Sequence, residues 1–254
     1  MFPAQTSLIP VSVALCKYIA ENGFDGLYPF WYFGTTPTKY LIGPVVPILL
    51  NSANSLTGIG LFNLSILFAA VSIFVSAFGW GMFAGRISAS KKIGFAAAIL
   101  SLALPWHWFS AFGLSELSAI LAVSFTGWLL YLYCRFLRGN KRVGSYLILS
   151  LVLSLILLTN STAAFVPIVG FLILGIVLEK EIGTAFKKIG VIVAISFLTV
   201  SIWYGLGYWL TILGAPSVGG RSIFGAFVSL VDSLRYFIPV ILAVVLVWWQ
   251  IKPK

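Results

Sequence analysis

Apolar residues run along this chain in long blocks, and short polar clusters separate the blocks. Seven blocks approach the roughly 20 residues that a helix needs to cross a hydrocarbon core about 30 Å thick. They cover residues 60–84, 93–109, 117–136, 143–160, 163–178, 189–213 and 236–251. The stretch 192–213 is apolar on every side, without the alternation of a barrel strand. In hydrocarbon that leaves the helix, which satisfies its own backbone polar groups. An eighth run, 42–50, is too short to cross, and Asn51, Ser52, Asn54 and Ser55 follow it. Residues 43–57 are therefore expected to form a helix lying at the interface, with Pro44 and Pro47 in its first turns. The pattern predicts an all-α, polytopic integral membrane protein with about seven transmembrane helices plus external interfacial helices. Residues 1–58 form the external loop and interfacial helices, and residues 59–254 the transmembrane helical domain.

Composition strengthens this picture. Of the 254 residues 60% are hydrophobic and 9% charged, and the mean hydropathy is +1.06. A soluble domain carries about 25% charged residues, so this chain has too few to cover a surface facing water. Aromatic residues reach 16%, which suits rings placed at membrane interfaces. The net charge of +10 does not point to nucleic acid, because the basic residues cluster in the short connections between apolar blocks.

Those clusters orient the chain. Arg86, Lys91 and Lys92; Arg135, Arg138, Lys141 and Arg142; Lys180, Lys187 and Lys188; and Lys252 and Lys254 fall on one side, and together make twelve of the sixteen basic residues. Lys17, Lys39, Arg221 and Arg235 fall on the other. Positive loops stay inside, which places the C-terminus in the cytoplasm and the first 40 residues outside; the expected location is the plasma membrane. The start of that segment does not resemble a signal peptide: it carries no positive charge, and Pro10 interrupts the first apolar run. Either a short tail is translocated unaided or a longer version carries an N-terminal helix that this chain lacks, and the second is the expectation.

Candidate chemistry collects on the external face, which holds Glu21, Asp25, Glu116 and Asp232, four of the six acids. Glu116 stands at the mouth of a span. It either caps the following helix, where the helix dipole favours a negative charge, or binds substrate or clamps helices at the edge of hydrocarbon. His107, the one histidine, lies between Trp106 and Trp108. It reads as part of an aromatic belt, or as a phosphate contact or proton carrier. It has no companion ligands for a metal, and none is expected. Asp25 lies in the turn-like Gly23-Phe24-Asp25-Gly26, as a structural turn residue or a catalytic acid. Arg221, after Gly219 and Gly220, suits a bidentate grip on phosphate or a contact with lipid headgroups. Cys16 and Cys134 fall on opposite sides of this topology, so no disulfide is expected between them. Asn160-Ser161-Thr162 spells a glycosylation acceptor, but it hugs a span end and is read as unmodified. Signatures of nucleotide binding, zinc hydrolysis, thiol redox chemistry and serine hydrolysis are absent from the sequence. No span carries a charge ladder for conduction, and no cofactor is indicated.

One segment is more specific. Tyr28-Pro29-Phe30-Trp31-Tyr32-Phe33-Gly34-Thr35-Thr36-Pro37-Thr38-Lys39-Tyr40-Leu41-Ile42-Gly43-Pro44-Val45-Val46-Pro47 resembles the end of the first external loop in multi-span glycosyltransferases of the GT-C class. Gly113-Leu114-Ser115-Glu116-Leu117-Ser118-Ala119 is similar to the start of a later span in such proteins. The resemblance covers roughly residues 5–135 and is made of aromatic and proline patterns. It implies transfer of a sugar from a polyprenyl-phosphate donor whose tail lies in the membrane, with an external carboxylate as base. Asp25 and Glu116 are then the candidate catalytic acids. Trp31, Tyr32, Tyr40 and His107 are candidate substrate contacts, and Lys39, Arg221 or Arg235 would hold phosphate charge. The class usually carries its catalytic aspartate directly after the first span, a position that falls at or before Met1 here. Asp25 therefore stands in as a substitute. Two other readings remain open: a membrane transporter or lipid flippase, and a non-catalytic subunit of a membrane complex.

Overall fold

The computed structural model describes residues 9–24, 43–105, 108, 112, 117–139, 143–179, 181–205 and 208. They are helical, with no strand among them. Nine helices are described: α1 (Ile9–Asn22), α2 (Val45–Thr57), α3 (Leu61–Ser88), α4 (Lys91–Ala103), α5 (Leu117–Ser124), α6 (Thr126–Arg138), α7 (Val143–Thr159), α8 (Phe165–Leu178) and α9 (Ile182–Val200). Contacts divide the chain into Met1–Trp203 and Tyr204–Lys254. Within the second unit, Tyr204 and Tyr208 stack with ring centroids 4.2 Å apart. All nine helices belong to the first unit.

Among the described residues, three helices are long and apolar enough to cross a membrane: α3 with 28 residues, the combined α5–α6 with 22, and α9 with 19. At 1.5 Å per residue these reach about 42, 33 and 28 Å. The other expected spans are shorter than predicted. α4 stops at Ala103, where Leu104 turns extended (φ −68°, ψ 111°) ahead of Pro105, because the proline ring disfavours helical backbone at the residue before it. α7 and α8 hold 17 and 14 residues. The expected span 189–213 is shifted: α9 begins at Ile182 and takes in Lys187 and Lys188. The expected span 236–251 lies outside the described residues.

Two helices come from the N-terminal segment. α2 matches the expected helix over 43–57, and it buries Val46, Pro47 and Leu50. α1 is an addition. Pro10 lies in its first turn, where a missing N–H costs nothing, so it does not interrupt the apolar run as the sequence suggested. The Asn51 amide donates to the Cys16 carbonyl at 3.1 Å and ties α2 to α1.

α3 is the hub, with α1, α2, α4, α5 and α6 packed on it. Its surface is inside-out by the standards of a soluble helix. Buried positions include Ser65, Ala69, Ser72, Ser76, Ala77, Gly79 and Gly81, while Phe62, Leu67, Phe74, Phe78 and Met82 are exposed. Small residues let backbones approach, and hydroxyls donate back into the helix: Ser65 to Leu61 O and Ser72 to Phe68 O. α4 is held through the same device. A Cβ on Gly94 would lie 2.8 Å from Gly81 O, and one on Gly81 would lie 2.8 Å from the Ala98 methyl.

These contacts fix direction. Gly81 meets Ala98 and Gly85 meets Gly94, so α3 and α4 form an antiparallel hairpin. Gly79 meets Gly127, and the Arg138 guanidinium donates to Arg86 O at 2.9 Å, so α3 and α6 run parallel. Ser150 donates to Ile192 O, and Ser154 to Ser196 O, so α7 and α9 run parallel as well. One end of the bundle therefore gathers Arg86, Lys91, Lys92, Arg135, Arg138, Lys187 and Lys188, the segregation that the connections between apolar blocks led one to expect.

Asn160 organises the opposite end. Its amide nitrogen donates to the buried Ser118 hydroxyl at 3.1 Å. Its Oδ1 accepts from Thr162 Oγ1 at 2.6 Å and from Ala163 N at 3.1 Å, as an N-cap does for the turn that leads into α8. The sequon asparagine is thus committed to packing. Asn160→Ala is expected to lower stability by about 1–2 kcal/mol, measurable as a lower midpoint in thermal unfolding followed by size exclusion in mild detergent.

Candidate functional site

Asp25, Trp31, Tyr32, Lys39, Tyr40, His107, Glu116 and Arg221 all lie outside the described residues. Several of their chain neighbours are described, and these gather at the end of the bundle away from the basic residues. Phe24, Trp108 and Leu117, which adjoin Asp25, His107 and Glu116 in sequence, belong to one apolar cluster built from α1, α2, the first half of α3, Phe112 and α5. Trp108 stacks on Phe112 at 6.2 Å with 12° between rings, and its indole N–H donates to Leu102 O at 2.7 Å. Phe24 meets Trp203 edge to face at 5.5 Å. Gly43, three residues beyond Tyr40, sits against the carbonyls of Leu158 and Thr159 so closely that no side chain would fit. Asn160 follows directly and joins Ser118, two residues beyond Glu116. The packing thus draws together the anchors of segments that are far apart in sequence. None of these contacts could be read from spacing.

Cys16 lies in this cluster, fully buried and free of any disulfide. Burial pushes its thiol from the ordinary 9.0 up to about 12, so the reactive thiolate is suppressed at neutral pH. Because the folded value is the raised one, the stability linked to this proton is whole below pH 9. It is lost as pH climbs through about 12. Maleimide is expected to leave Cys16 and the equally buried Cys134 unlabelled in the folded protein at pH 7, and to label both after denaturation. Rapid labelling of the folded chain would contradict their burial.

The basic end holds a constellation that sequence reading missed. Lys188, on α9, is buried and bonds the Glu179 carboxylate at the C-cap of α8. The ammonium also lies 6.0 Å from the centroid of Phe136. Tyr133, one turn earlier on α6, is buried against Phe171 with ring centroids 4.3 Å apart. Among the described residues its hydroxyl has no hydrogen-bond partner, and it lies against Gly175, where a Cβ would approach it to 3.3 Å. The expected spans 163–178 and 189–213 leave Glu179 and Lys188 in the connection between them, but the structure takes both into the packing between α6, α8 and α9. The available signal was the nine-residue separation of opposite charges across a helical hairpin, which is too common to stand out.

Three buried serine hydroxyls join α7 to α9. Ser150, Ser154 and Ser196 make five hydrogen bonds across and along α7 and α9, at 2.7–3.3 Å. The buried hydroxyls of Ser76 and Thr126, on the two helices that cross at Gly79 and Gly127, have no partner among the described residues. Among the described residues no group of His, Cys, Asp and Glu is arranged to hold a metal ion.

No protein-family model, curated protein or solved structure matches the chain.

Proposed function

We propose that this chain is an integral membrane protein with its basic end in the cytoplasm, and that it is a GT-C-like glycosyltransferase. In this reading it transfers sugar from a polyprenyl-phosphate donor at the opposite, external face. The inside-out surface of α3 carries the membrane half of the reading. Phe78 is 64% exposed while Ser65, Ser72 and Ser76 are buried, an arrangement that is costly in water and natural in lipid. The positive-inside rule supplies the orientation. The transferase half rests on the resemblance of residues 28–47 and 113–119. It is supported by the single cluster that holds Phe24, Trp108 and Leu117, the neighbours of three candidate residues. A carboxylate base at that face would take the proton of the incoming hydroxyl as it attacks the sugar.

Two experiments test the halves separately. Carbonate washing of membranes should leave the chain in the pellet, and its release into the wash would refute the membrane reading. For the chemistry, membranes supplied with polyprenyl-phosphate sugar are assayed with Asp25→Asn and Glu116→Gln. Loss of the catalytic base should lower transfer on the order of 10²- to 10⁴-fold. Undiminished transfer by both variants would remove these acids from the site.

A further inference from the structure

At the basic end, α6 and α7 separate to leave a cleft of about 390 Å³, lined by Leu132, Arg135, Phe136, Gly139, Ser145, Ile148 and Leu149. Its size falls within the range of ligand sites. Arg135, in the last turn of α6, supplies the positive charge. Leu132 lies one turn deeper on α6, while Ile148 and Leu149 lie about one turn beyond Ser145 on α7, so the walls become apolar away from the charged end. The outer wall faces away from the protein: Ile148 is 54% exposed, and Leu147 and Leu151 beside it are exposed as well. The neighbouring Arg138 is already engaged with the Arg86 carbonyl, which leaves Arg135 as the described cation on the lining of this cleft.

We infer that the cleft between α6 and α7 is a site for one anionic phospholipid of the cytoplasmic leaflet. The headgroup phosphate would meet the Arg135 guanidinium, and one acyl chain would lie along Leu132, Ile148 and Leu149. Charge complementarity selects an anion, and a guanidinium matches phosphate through paired N–H donors. The sideways apolar opening selects a lipid over a free anion, because a ligand arriving from water gains nothing from a wall of exposed isoleucine and leucine. This site is distinct from the donor site proposed above and lies at the other end of the bundle. It rests on the membrane reading alone.

The test measures retention of phosphatidylglycerol by the full chain in detergent micelles. Phosphatidylcholine of the same acyl chains and inorganic phosphate serve as competitors. Phosphatidylglycerol should be retained in preference to phosphatidylcholine, and millimolar phosphate should not displace it. Arg135→Gln should weaken retention by roughly fivefold, the effect of one basic contact near a lipid surface. Lys91→Gln, at the same end but off the lining, should change it less than twofold. Ser145→Phe should block the cleft with its charge intact, and Ile148→Trp at the exposed wall replaces it should the first variant not fold. Equal losses from Arg135→Gln and Lys91→Gln would overturn the inference in favour of diffuse surface charge. So would full retention by the blocked variant, displacement by phosphate, or equal retention of the two lipids. A chain that resists carbonate washing yet ignores phosphatidylglycerol refutes this inference alone, whereas release into the wash refutes the membrane reading with it.

Discussion

Glu179→Ala is expected to destabilise the protein by about 3–5 kcal/mol, because it removes the carboxylate paired with the buried ammonium of Lys188. The lysine and glutamate side chains are only 7% and 11% exposed, so water cannot replace the lost carboxylate without opening the α8–α9 hairpin. The Phe136 ring, 6.0 Å away, offers a cation–π attraction of about 1–2 kcal/mol, too weak to compensate. The double variant Glu179→Gln with Lys188→Met removes both charges and should recover most of the loss, since apolar replacement of a buried pair is often neutral. Equilibrium unfolding in mixed micelles reads both results. A cost below about 1 kcal/mol for the single variant would mean that the pair is solvated.

The second large effect belongs to the crossing of α3 and α6. A Cβ on Gly127 would lie 2.6 Å from Trp80 N and 2.7 Å from Gly79 C, closer than real methyl contacts come. The opposing atoms are helical backbone and cannot rotate away. Gly127→Ala must therefore push the helices apart, and in doing so it strains the 2.8 Å bond from the Trp128 indole to Val75 O. Overpacking of this kind costs about 1–3 kcal/mol, and the lost bond adds about 1 kcal/mol. The gain in helix propensity, about 1 kcal/mol, does not cover the sum. Gly144→Ala, whose Cβ would meet nothing within 4 Å, is the control and should be neutral or slightly stabilising. A lower thermal midpoint for Gly127→Ala alone is the expected pattern, and equal midpoints would show that the crossing is slack.

The contrast between sequence and structure follows from what hydropathy can register. α3 and α5–α6 were legible because each is a long apolar run whose first charge comes at its end, Arg86 and Arg135. α9 was placed seven residues late because a hydropathy scan treats lysine as a helix boundary. It cannot see that Lys188 meets Glu179 from the neighbouring helix. α1 was hidden by Pro10, a residue that is disruptive inside a helix and harmless in its first turn. The interruption at Phe125, between α5 and α6, leaves no clear mark in an apolar run. The gathering of Gly43, Ser118 and Asn160 at one end depends on pairings more than 40 residues apart, which no local pattern encodes. The candidate residues chosen from the sequence lie beyond the described residues. What the structure adds is the shared cluster of their neighbours.

The glycine notch between α3 and α4 has a further consequence, for how sequence information is spread along the chain. α4 buries only Gly94, while Ile93, Phe95, Ile99 and Leu100 are exposed. Its identity as a packed element is therefore written in Gly81, Gly85, Gly94 and Ala98 and in Leu102, which packs against the apolar cluster; its exposed apolar letters are close to interchangeable. Over evolutionary time α4 is free to drift at those exposed large side chains while its small ones stay fixed, the reverse of the record that a water-soluble helix leaves.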